Sequence, residues 1–346
     1  MMKKILAILL VLCLALGVAA CGTKDSGNTD QPAAQPETTS ALKLGMAIDT
    51  AVSGENATKD ADGSAEADST VAVVLLDAEG KIVNCVIDIA QTKMAFTAAG
   101  AVLEKDAVPM TKLEAGDNYG MKVASPIGKE WYEQSKGFSD YCIGKTADEV
   151  AGIAMSDQGV ATDETLLATT TIHIGGFINA VVEACKNAKE LGSAAGDKLG
   201  LAVSTSLSDS TDATADKDGM CYVYSTYCAV TTDASGKVTA AILDASQSKI
   251  NIDTMGAITS DLSAPVKSKN VLMDEYGMKS ASSIGKEWYE QAAGFCEYIK
   301  GMTAADIGGI AMSDKGVATD EKLLATTTVH IGGFMAVAAK AVGNAK

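Results

Sequence analysis

The chain has 346 residues, of which 47% are apolar and 21% are charged, and its formal net charge at pH 7 is −16. This length predicts two globular domains of ordinary size. A strongly acidic chain repels phosphate backbones and anionic lipid headgroups. The composition therefore argues against nucleic-acid binding and against polybasic adhesion to membranes.

Residues 1–20 have the pattern of a secretory signal peptide. Lys3 and Lys4 precede the apolar run Ile5–Val18, and small residues then lead to Cys21. The run is short for a spanning helix. The alternatives for this junction are a lipoprotein signal and an ordinary signal peptide with a chance cysteine at its cleavage point.

The junction around Cys21 resembles a bacterial lipoprotein lipobox, which implies a lipidated Cys21 as the first mature residue. The membrane is then a partner through that lipid. Residues 21–41 are rich in Gly, Thr, Ser, Asp, Pro and Gln, a composition typical of a flexible tether. We therefore expect an extracytoplasmic protein at the cell surface, anchored to the outer face of the cell membrane.

The rest of the chain contains one sequence repeat twice, at residues 42–188 and 198–346, joined by a linker at 189–197. Between Ala154–Ile178 and Ala311–Met335, 21 of 25 positions are identical. Both histidines of the chain fall inside this duplicated stretch. Whatever chemistry one repeat performs is therefore expected in the other.

Each repeat begins with a sequence typical of β-strands. Two β-branched runs, Thr70–Asp77 and Ile82–Asp88, flank an acidic turn that contains Gly80, and Tyr222–Asp244 repeats the pattern. This arrangement predicts a β-hairpin.

Helices are predicted in the second half of each repeat. Ser125 and Pro126 predict a helix start. In the helix that would follow, one face is formed at helical spacing by Ile127, Trp131, Phe138 and Tyr141. Thr146 and Glu149 form a predicted capping box for a short helix. The last predicted helices run from Gly175 to about residue 188 and from Gly332 to about residue 343. Strands followed by helices predict an α+β fold of two tandem homologous domains, each an antiparallel sheet with helices packed on one face.

Six cysteines follow Cys21, and none has a cysteine at the equivalent position of the other repeat. A disulfide framework or metal cluster required by the fold would appear in both copies, so neither is implied. Cys221 and Cys228 remain an alternative pair because both lie on strand-like sequence. The acidic loop Asp209–Asp218 lacks calcium-ligand spacing and is predicted to be solvated.

The duplicated stretch is the best candidate for a functional site. It combines a carboxylate, a run of threonines, a histidine and two glycines that start a helix, which is an arrangement able to hold an anion. The alternative is structural: the threonines form a β-branched strand, the glycines cap or bend the entry to the helix, and His173 is a satisfied core or surface histidine. The candidate residues are Asp163, Thr169, His173, Gly175 and Gly176, with Asp320, Thr326, His330, Gly332 and Gly333 in the second repeat.

The order of hairpin, helical middle and Asp-x-x-x-x-Ala-Thr resembles the FMN-binding domain of sodium-pumping quinone reductases and of flavinylated surface lipoproteins. In that family a flavin transferase esterifies FMN, through its phosphate, to the threonine of Asp-x-x-(Ser/Thr)-(Gly/Ser)-Ala-Thr. The resemblance implies that Thr169 and Thr326 are the acceptors and that Asp163 and Asp320 are the leading aspartates. The chain also resembles an uncharacterised group of clostridial-type tandem-repeat lipoproteins that share its YGMK and GKEW blocks.

The resemblance implies a covalent FMN carrier in extracellular electron transfer, with a flavin transferase and redox proteins as partners. Flavins supply their own redox chemistry, so such a protein needs no catalytic constellation, and no catalytic residue or metal site is predicted. The alternative is a non-redox surface lipoprotein that binds a small ligand or serves as an interaction module. A turnover enzyme ranks behind both hypotheses.

Overall fold

The computed structural model describes residues 41–346, so the predicted signal peptide, Cys21 and nearly all of the tether lie outside the described residues. Among residues 41–346, no helix is long and apolar enough to cross a membrane. Seven strands form two antiparallel sheets, ordered β3-β2-β1-β4 and β5-β6-β7. The strands are β1 (Ala41–Glu55), β2 (Gly63–Leu76), β3 (Ile82–Phe96), β4 (Lys189–Ala194), β5 (Lys198–Ser206), β6 (Gly219–Thr232) and β7 (Val238–Ile252).

The predicted hairpins are confirmed as β2–β3 and β6–β7. At the first turn, the backbone N–H of Lys81 donates to the side chain of Asp77 at 2.8 Å, and Gly80 takes a left-handed conformation. Asp233 and Gly236 have the same roles in the second repeat. The strands extend well beyond the predicted runs, because residues 63–69 and 89–96 continue the same pairing.

Ten α-helices lie in the described residues, five in each repeat. They are α1 (Lys112–Ala115), α2 (Trp131–Cys142), α3 (Ala147–Ala151), α4 (Glu164–Leu167), α5 (Gly175–Lys186), α6 (Lys269–Leu272), α7 (Trp288–Tyr298), α8 (Ala304–Gly308), α9 (Glu321–Leu324) and α10 (Gly332–Asn344). The predicted capping box of Thr146 and Glu149 is confirmed at α3. The predicted final helices are confirmed as α5 and α10.

The predicted helix start at Ser125 is wrong, because α2 begins at Trp131. Gly128 has φ of 61°, a left-handed conformation that interrupts a right-handed helix. Ile127 therefore lies in a turn and not on the helix face. Gly285, with φ of 63°, produces the same late start of α7.

Each repeat is an α+β unit, as predicted, with its helices on one face of its sheet. Alternate residues of β2 show why: Ala72 and Val74 join the core beneath α2 and α5, whereas Val71 and Val73 face the other way. Trp131 of α2 and Trp288 of α7 are buried in these helix-covered cores.

The opposite faces of the two sheets pack against each other. Leu44 and Val73 of the first repeat share a core cluster with Leu199, Leu201 and the fully buried Tyr227 of the second. The layers therefore run helix, sheet, sheet, helix, and the two repeats form one compact unit.

The segment predicted as a linker forms an additional strand. β4 spans Lys189–Ala194 and pairs antiparallel with β1. A turn closed by Asp197, which accepts from the backbone N–H of Ala194 at 2.9 Å, then leads into β5. The connection between the repeats is thus part of the first sheet.

Cys221 and Cys228 do not pair, and every cysteine in residues 41–346 is a free thiol. Both residues lie on β6, where a seven-residue separation spans about 23 Å at roughly 3.3 Å per residue. An odd separation also directs the two side chains to opposite faces of the sheet. The alternative disulfide is therefore wrong.

Candidate functional site

The Asp-x-x-x-x-Ala-Thr segment folds as one short capped helix in each repeat. Asp163 is the N-cap of α4, and its carboxylate accepts from the backbone N–H of Leu166 at 2.9 Å. Asp320 caps α9 in the same way through the N–H of Leu323 at 3.1 Å. The leading aspartate thus holds the turn that ends at the threonine.

The threonine that follows this turn is half-buried. Thr169 Oγ1 donates to the carbonyl of Leu166 at 3.0 Å, and Thr326 Oγ1 donates to Leu323 at 3.1 Å. A Cβ added at Gly137 of α2 would lie 2.8 Å from both Cβ and Oγ1 of Thr169. The predicted acceptor therefore packs directly against the backbone of α2.

Two further threonines connect this turn to the next helix. Thr170 is fully buried, and its hydroxyl donates to the carbonyl of Gln134 at 2.9 Å. Thr171 donates to Gln134 Oε1 from its backbone N–H at 2.8 Å and from its hydroxyl at 3.1 Å. Gln291 holds Thr327 and Thr328 identically.

The sequence interpretation missed Gln134 and Gln291 as anchors of the duplicated stretch. Both glutamines are fully buried, and the amide nitrogen of Gln134 donates to Ser125 Oγ at 3.0 Å. The sequence did mark these two residues, because each ends a copy of the repeated sequence GKEWYEQ, at 128–134 and 285–291. Nothing in the chain order indicated which distant segment they would contact.

His173 and His330 are exposed. The imidazole of His173 lies beside Gly159, and the backbone N–H of Ile174 donates to the carbonyl of Gly159 at 2.9 Å. His330 lies beside Gly316 in the same manner. The histidines are thus available to a surface ligand, and among the described hydrogen bonds none connects them to the threonine turns.

The helix starts behind these histidines are uncapped. No side chain caps α5 or α10, although Asp or Thr side chains cap α3, α4, α8 and α9. A Cβ added at Gly176 would approach only Thr70 Oγ1, at 3.9 Å, and one added at Gly333 would meet nothing within 4 Å. Free N–H groups and open space at a helix start suit an anion.

The repeated sequence that contains the YGMK and GKEW blocks, at residues 119–134 and 276–291, has a structural explanation. Glu130 is buried, and its carboxylate accepts from the backbone N–H groups of Met121 and Lys122 at 2.9 and 3.0 Å. Glu287 makes the same two bonds with Met278 and Lys279. The YGMK and GKEW blocks thus fold onto each other through one carboxylate.

A buried aspartate in each repeat lies outside the predicted site. Asp88 accepts from the backbone N–H of Leu113 at 3.0 Å, and burial raises its pKa to about 6. Asp244 accepts from the N–H of Asn270 at 2.9 Å, and burial likewise raises its pKa to about 6. Each carboxylate fixes the start of a short helix, α1 or α6.

The neighbouring lysines differ between the repeats. Lys269 is buried with its ammonium 4.6–4.8 Å from the ring centroids of Tyr224, Tyr276 and Trp288, and burial lowers its pKa to about 8. Lys112 is half-buried, and its ammonium lies 5.2 Å from the ring centroid of Tyr119 and 5.7 Å from that of Trp131. Asp68 of the first repeat is the equivalent of Tyr224. The surroundings of the two lysines therefore differ between the repeats, whereas the threonine turn is the same in both.

No group of three or more His, Cys, Asp or Glu residues that could hold a metal ion occurs in residues 41–346. In the acidic loop of the second repeat, Asp212 instead accepts from Lys105 Nζ at 2.8 Å and from the backbone N–H of Val102 at 2.8 Å. Asp212 of the second repeat is thereby hydrogen-bonded to Val102 and Lys105 of the first repeat.

Comparison with known proteins gives one partial similarity. The chain is 38% identical over 93 residues to a chlorophenol reductase of Desulfitobacterium hafniense, covering 23% of this chain and 28% of that protein. No protein-family profile and no solved structure matches the chain. The similarity spans less than a third of that reductase, too little to assign a family or a cofactor.

Proposed function

We propose that the protein is a lipid-anchored, extracytoplasmic carrier of covalent FMN, with Thr169 and Thr326 as the attachment residues. The observation that carries the proposal is the matching geometry of the two turns. In both repeats an aspartate caps a short helix whose end presents a half-buried threonine six residues later.

The residues fit the flavin phosphate in two respects. Each threonine lies partly at the surface, and each repeat also has an uncapped Gly-Gly helix start beside an exposed histidine. The partial positive charge of a helix N-terminus stabilises an anion. His173 and His330 are further donors that would contact the phosphate or the flavin there.

In the unmodified protein the hydroxyl of Thr169 is already hydrogen-bonded. Thr169 Oγ1 must release its hydrogen bond to the Leu166 carbonyl before it can attack the FMN phosphorus of a flavin dinucleotide, a step that forms the FMN phosphoester, breaks the pyrophosphate bond and releases the nucleoside monophosphate and a proton. The flavin supplies the electron-transfer chemistry when it is bound, and the protein supplies attachment and orientation. A flavin transferase and redox proteins at the cell surface are the partners of this proposal.

The experiment is intact-mass measurement of the mature protein after co-expression with a flavin transferase. We expect an increase of two FMN groups in the wild type, of one in Thr169→Ala or Thr326→Ala, and of none in the double variant. Thr165→Ala is the matched control, because Thr165 is an exposed residue of the same turn. Unmodified wild-type mass under these conditions contradicts the proposal.

A second candidate is a non-redox surface lipoprotein whose duplicated stretch serves the fold. The contact of Thr169 with Gly137 and the anchoring of Thr171 by Gln134 favour it, since both give the threonines a structural role. This candidate predicts unmodified mass and no thermal stabilisation by flavins. A thermal-shift screen that includes FMN, sugars and peptides distinguishes the two, because a bound ligand raises the melting temperature.

A further inference from the structure

A groove of about 480 Å³ lies between β1 and α5 of the first repeat. Ala47, Ile48 and Asp49 of β1 form one wall. The other wall carries the exposed side chains of Asn179 and Glu183, which lie one turn apart on the same face of α5. None of the residues proposed to contact the flavin lines this groove.

The second repeat has an equivalent position, which a shared hydrogen bond identifies. Asn187 Nδ2 follows α5 and donates to the carbonyl of Met46 on β1 at 3.2 Å. Asn344 Nδ2, at the end of α10, donates to the carbonyl of Leu201 on β5 at 2.9 Å. Strand and helix therefore have the same register in both repeats, and the residues beside the groove can be matched one by one.

In the second repeat a lysine ammonium occupies this position. The counterpart of Ile48 is Val203, and the counterpart of Glu183 is Lys340. Lys340 Nζ donates to the carbonyl of Val203 at 2.8 Å and also forms an ion pair with Glu114. One primary ammonium is thus already bound at the equivalent strand carbonyl of this protein.

In the first repeat the equivalent carbonyl faces the groove. Alternate residues of a strand direct their carbonyls to the same side, so that of Ile48 points as that of Met46 does. On this side the pairing of β1 with β4 ends at Leu44, and the next contact is the bridge between Thr50 and Val266. A hydrogen-bond donor in the groove can therefore reach the carbonyl of Ile48.

The charges around the groove differ between the repeats in a way that favours a cation. Asp49 and Glu183 stand where the second repeat has Ser204 and Lys340. The third charged residue of the lining is Lys186, which pairs with Glu183 at 2.6 Å while more than half of each side chain is exposed. Asp49 makes no ion pair within residues 41–346. Two carboxylates and one ammonium leave the groove acidic, in a chain that is acidic overall.

We propose that this groove binds the primary ammonium group of a linear aliphatic amine, either a free amine or a lysine side chain. The ammonium donates to the carbonyl of Ile48 and to the carboxylates of Asp49 and Glu183, and the alkyl chain packs on Ala47 and Val182. A primary ammonium has three donors, which matches these three acceptors. Charge-assisted hydrogen bonds of this kind are stronger than neutral ones.

The test titrates n-butylammonium chloride, which reproduces the lysine side chain, into the full mature chain at low ionic strength. The readout is the NMR signal of the backbone amides of Ile48 and Val182, which we expect to shift saturably with one site per chain. Asp49→Asn and Glu183→Gln should each weaken binding about threefold, as the loss of an exposed ion pair does. n-Butyltrimethylammonium keeps the chain and the charge but has no N–H donor, and it should bind more weakly than n-butylammonium.

Exchange of residues between the repeats gives matched controls. Glu183→Lys with Asp49→Ser installs the second repeat's residues and should abolish binding. Ser204→Asp with Lys340→Glu installs the first repeat's residues and should raise the number of sites from one to two. Lys186→Ala removes the competing ammonium and should strengthen binding about threefold. All five side chains are exposed, so these variants retain the fold.

Absence of saturable shifts would overturn the proposal. Equal affinity for the two butyl cations, or binding that survives Glu183→Lys with Asp49→Ser, would overturn it too, because either result shows general attraction to an acidic protein. A lysine with blocked backbone ends serves as the second ligand. Tighter binding of this lysine than of n-butylammonium supports a lysine side chain as the natural ligand, and equal or weaker binding supports a free amine.

Ammonium binding in this groove has no dependence on Thr169 or Thr326. Its failure is therefore distinguishable from failure of flavin attachment, which the intact mass reports.

Discussion

Gln134 Oε1 accepts from both the backbone N–H and the hydroxyl of Thr171, at 2.8 and 3.1 Å. One buried side chain thereby fastens the duplicated stretch to α2. The same relationship between Gln291 and Thr328 fastens it to α7.

Replacing Gln134 with leucine should destabilise the fold strongly. The variant leaves the N–H and hydroxyl of the half-buried Thr171 without their acceptor, which costs about 1–3 kcal/mol. Urea unfolding followed by circular dichroism measures the free energy of unfolding. Gln158→Leu, at an exposed position, is the control and should change it by less than about 0.5 kcal/mol.

Gly137→Ala should also destabilise the protein, although alanine is the better helix former. The added Cβ would lie 2.8 Å from Thr169, closer than real Cβ contacts, so α2 or the turn must shift. Gly343→Ala in α10 has nothing within 4 Å of the added Cβ and should stabilise by about 0.5–1 kcal/mol. Thermal unfolding of both variants checks the opposite signs, and stabilisation by Gly137→Ala would contradict the packing.

The buried aspartates predict an unusual pH dependence of stability. Burial raises the folded-state pKa of Asp88 and Asp244 to about 6, above the unfolded value, so charging them opposes folding. Their contribution to the free energy of unfolding should fall by about 3 kcal/mol each as pH rises from 4 through 6, and stay constant above.

The comparison that isolates this effect is Asp88→Asn/Asp244→Asn against the wild type. Asparagine keeps an acceptor for the N–H groups of Leu113 and Asn270 without titrating. The difference in unfolding free energy should change between pH 4 and 6 and be flat above pH 7. A difference that does not vary with pH would contradict the raised pKa values.

The free thiols should be slow to react in the folded protein. Burial raises the pKa of Cys142 and Cys296 to about 12 and that of Cys185 and Cys221 to about 11. At pH 8 an aromatic disulfide reagent should therefore label the native protein slowly, with the half-buried Cys185 first. All six thiols of residues 41–346 should react in denaturant without prior reduction, whereas a count of four would indicate a disulfide.

Local signals explain what the sequence could predict. The hairpin follows from the turn at Asp77 and Gly80, and the α3 cap follows from Thr146 and Glu149, because each involves neighbours within four residues. The sequence predicts too early a start for α2 because Ser125 and Pro126 resemble a cap, while the left-handed Gly128 lies just beyond them.

Long-range contacts explain what the sequence could not predict. Nothing local indicates that Val73 faces the second sheet and not solvent, or that the linker would pair with β1 as β4. Gln134 reaches Thr171 across 37 residues, so its role depends on the tertiary fold. A family resemblance draws attention to the Asp163 segment, but only the structure shows its helical form with Leu166 buried.

The most direct test of the central claim is peptide mapping by mass spectrometry of the protein isolated from the membranes of its own cells. We predict FMN phosphoester groups on the peptides that contain Thr169 and Thr326, absent from all other peptides. Full recovery of both peptides at their unmodified masses would contradict the proposed flavin carrier.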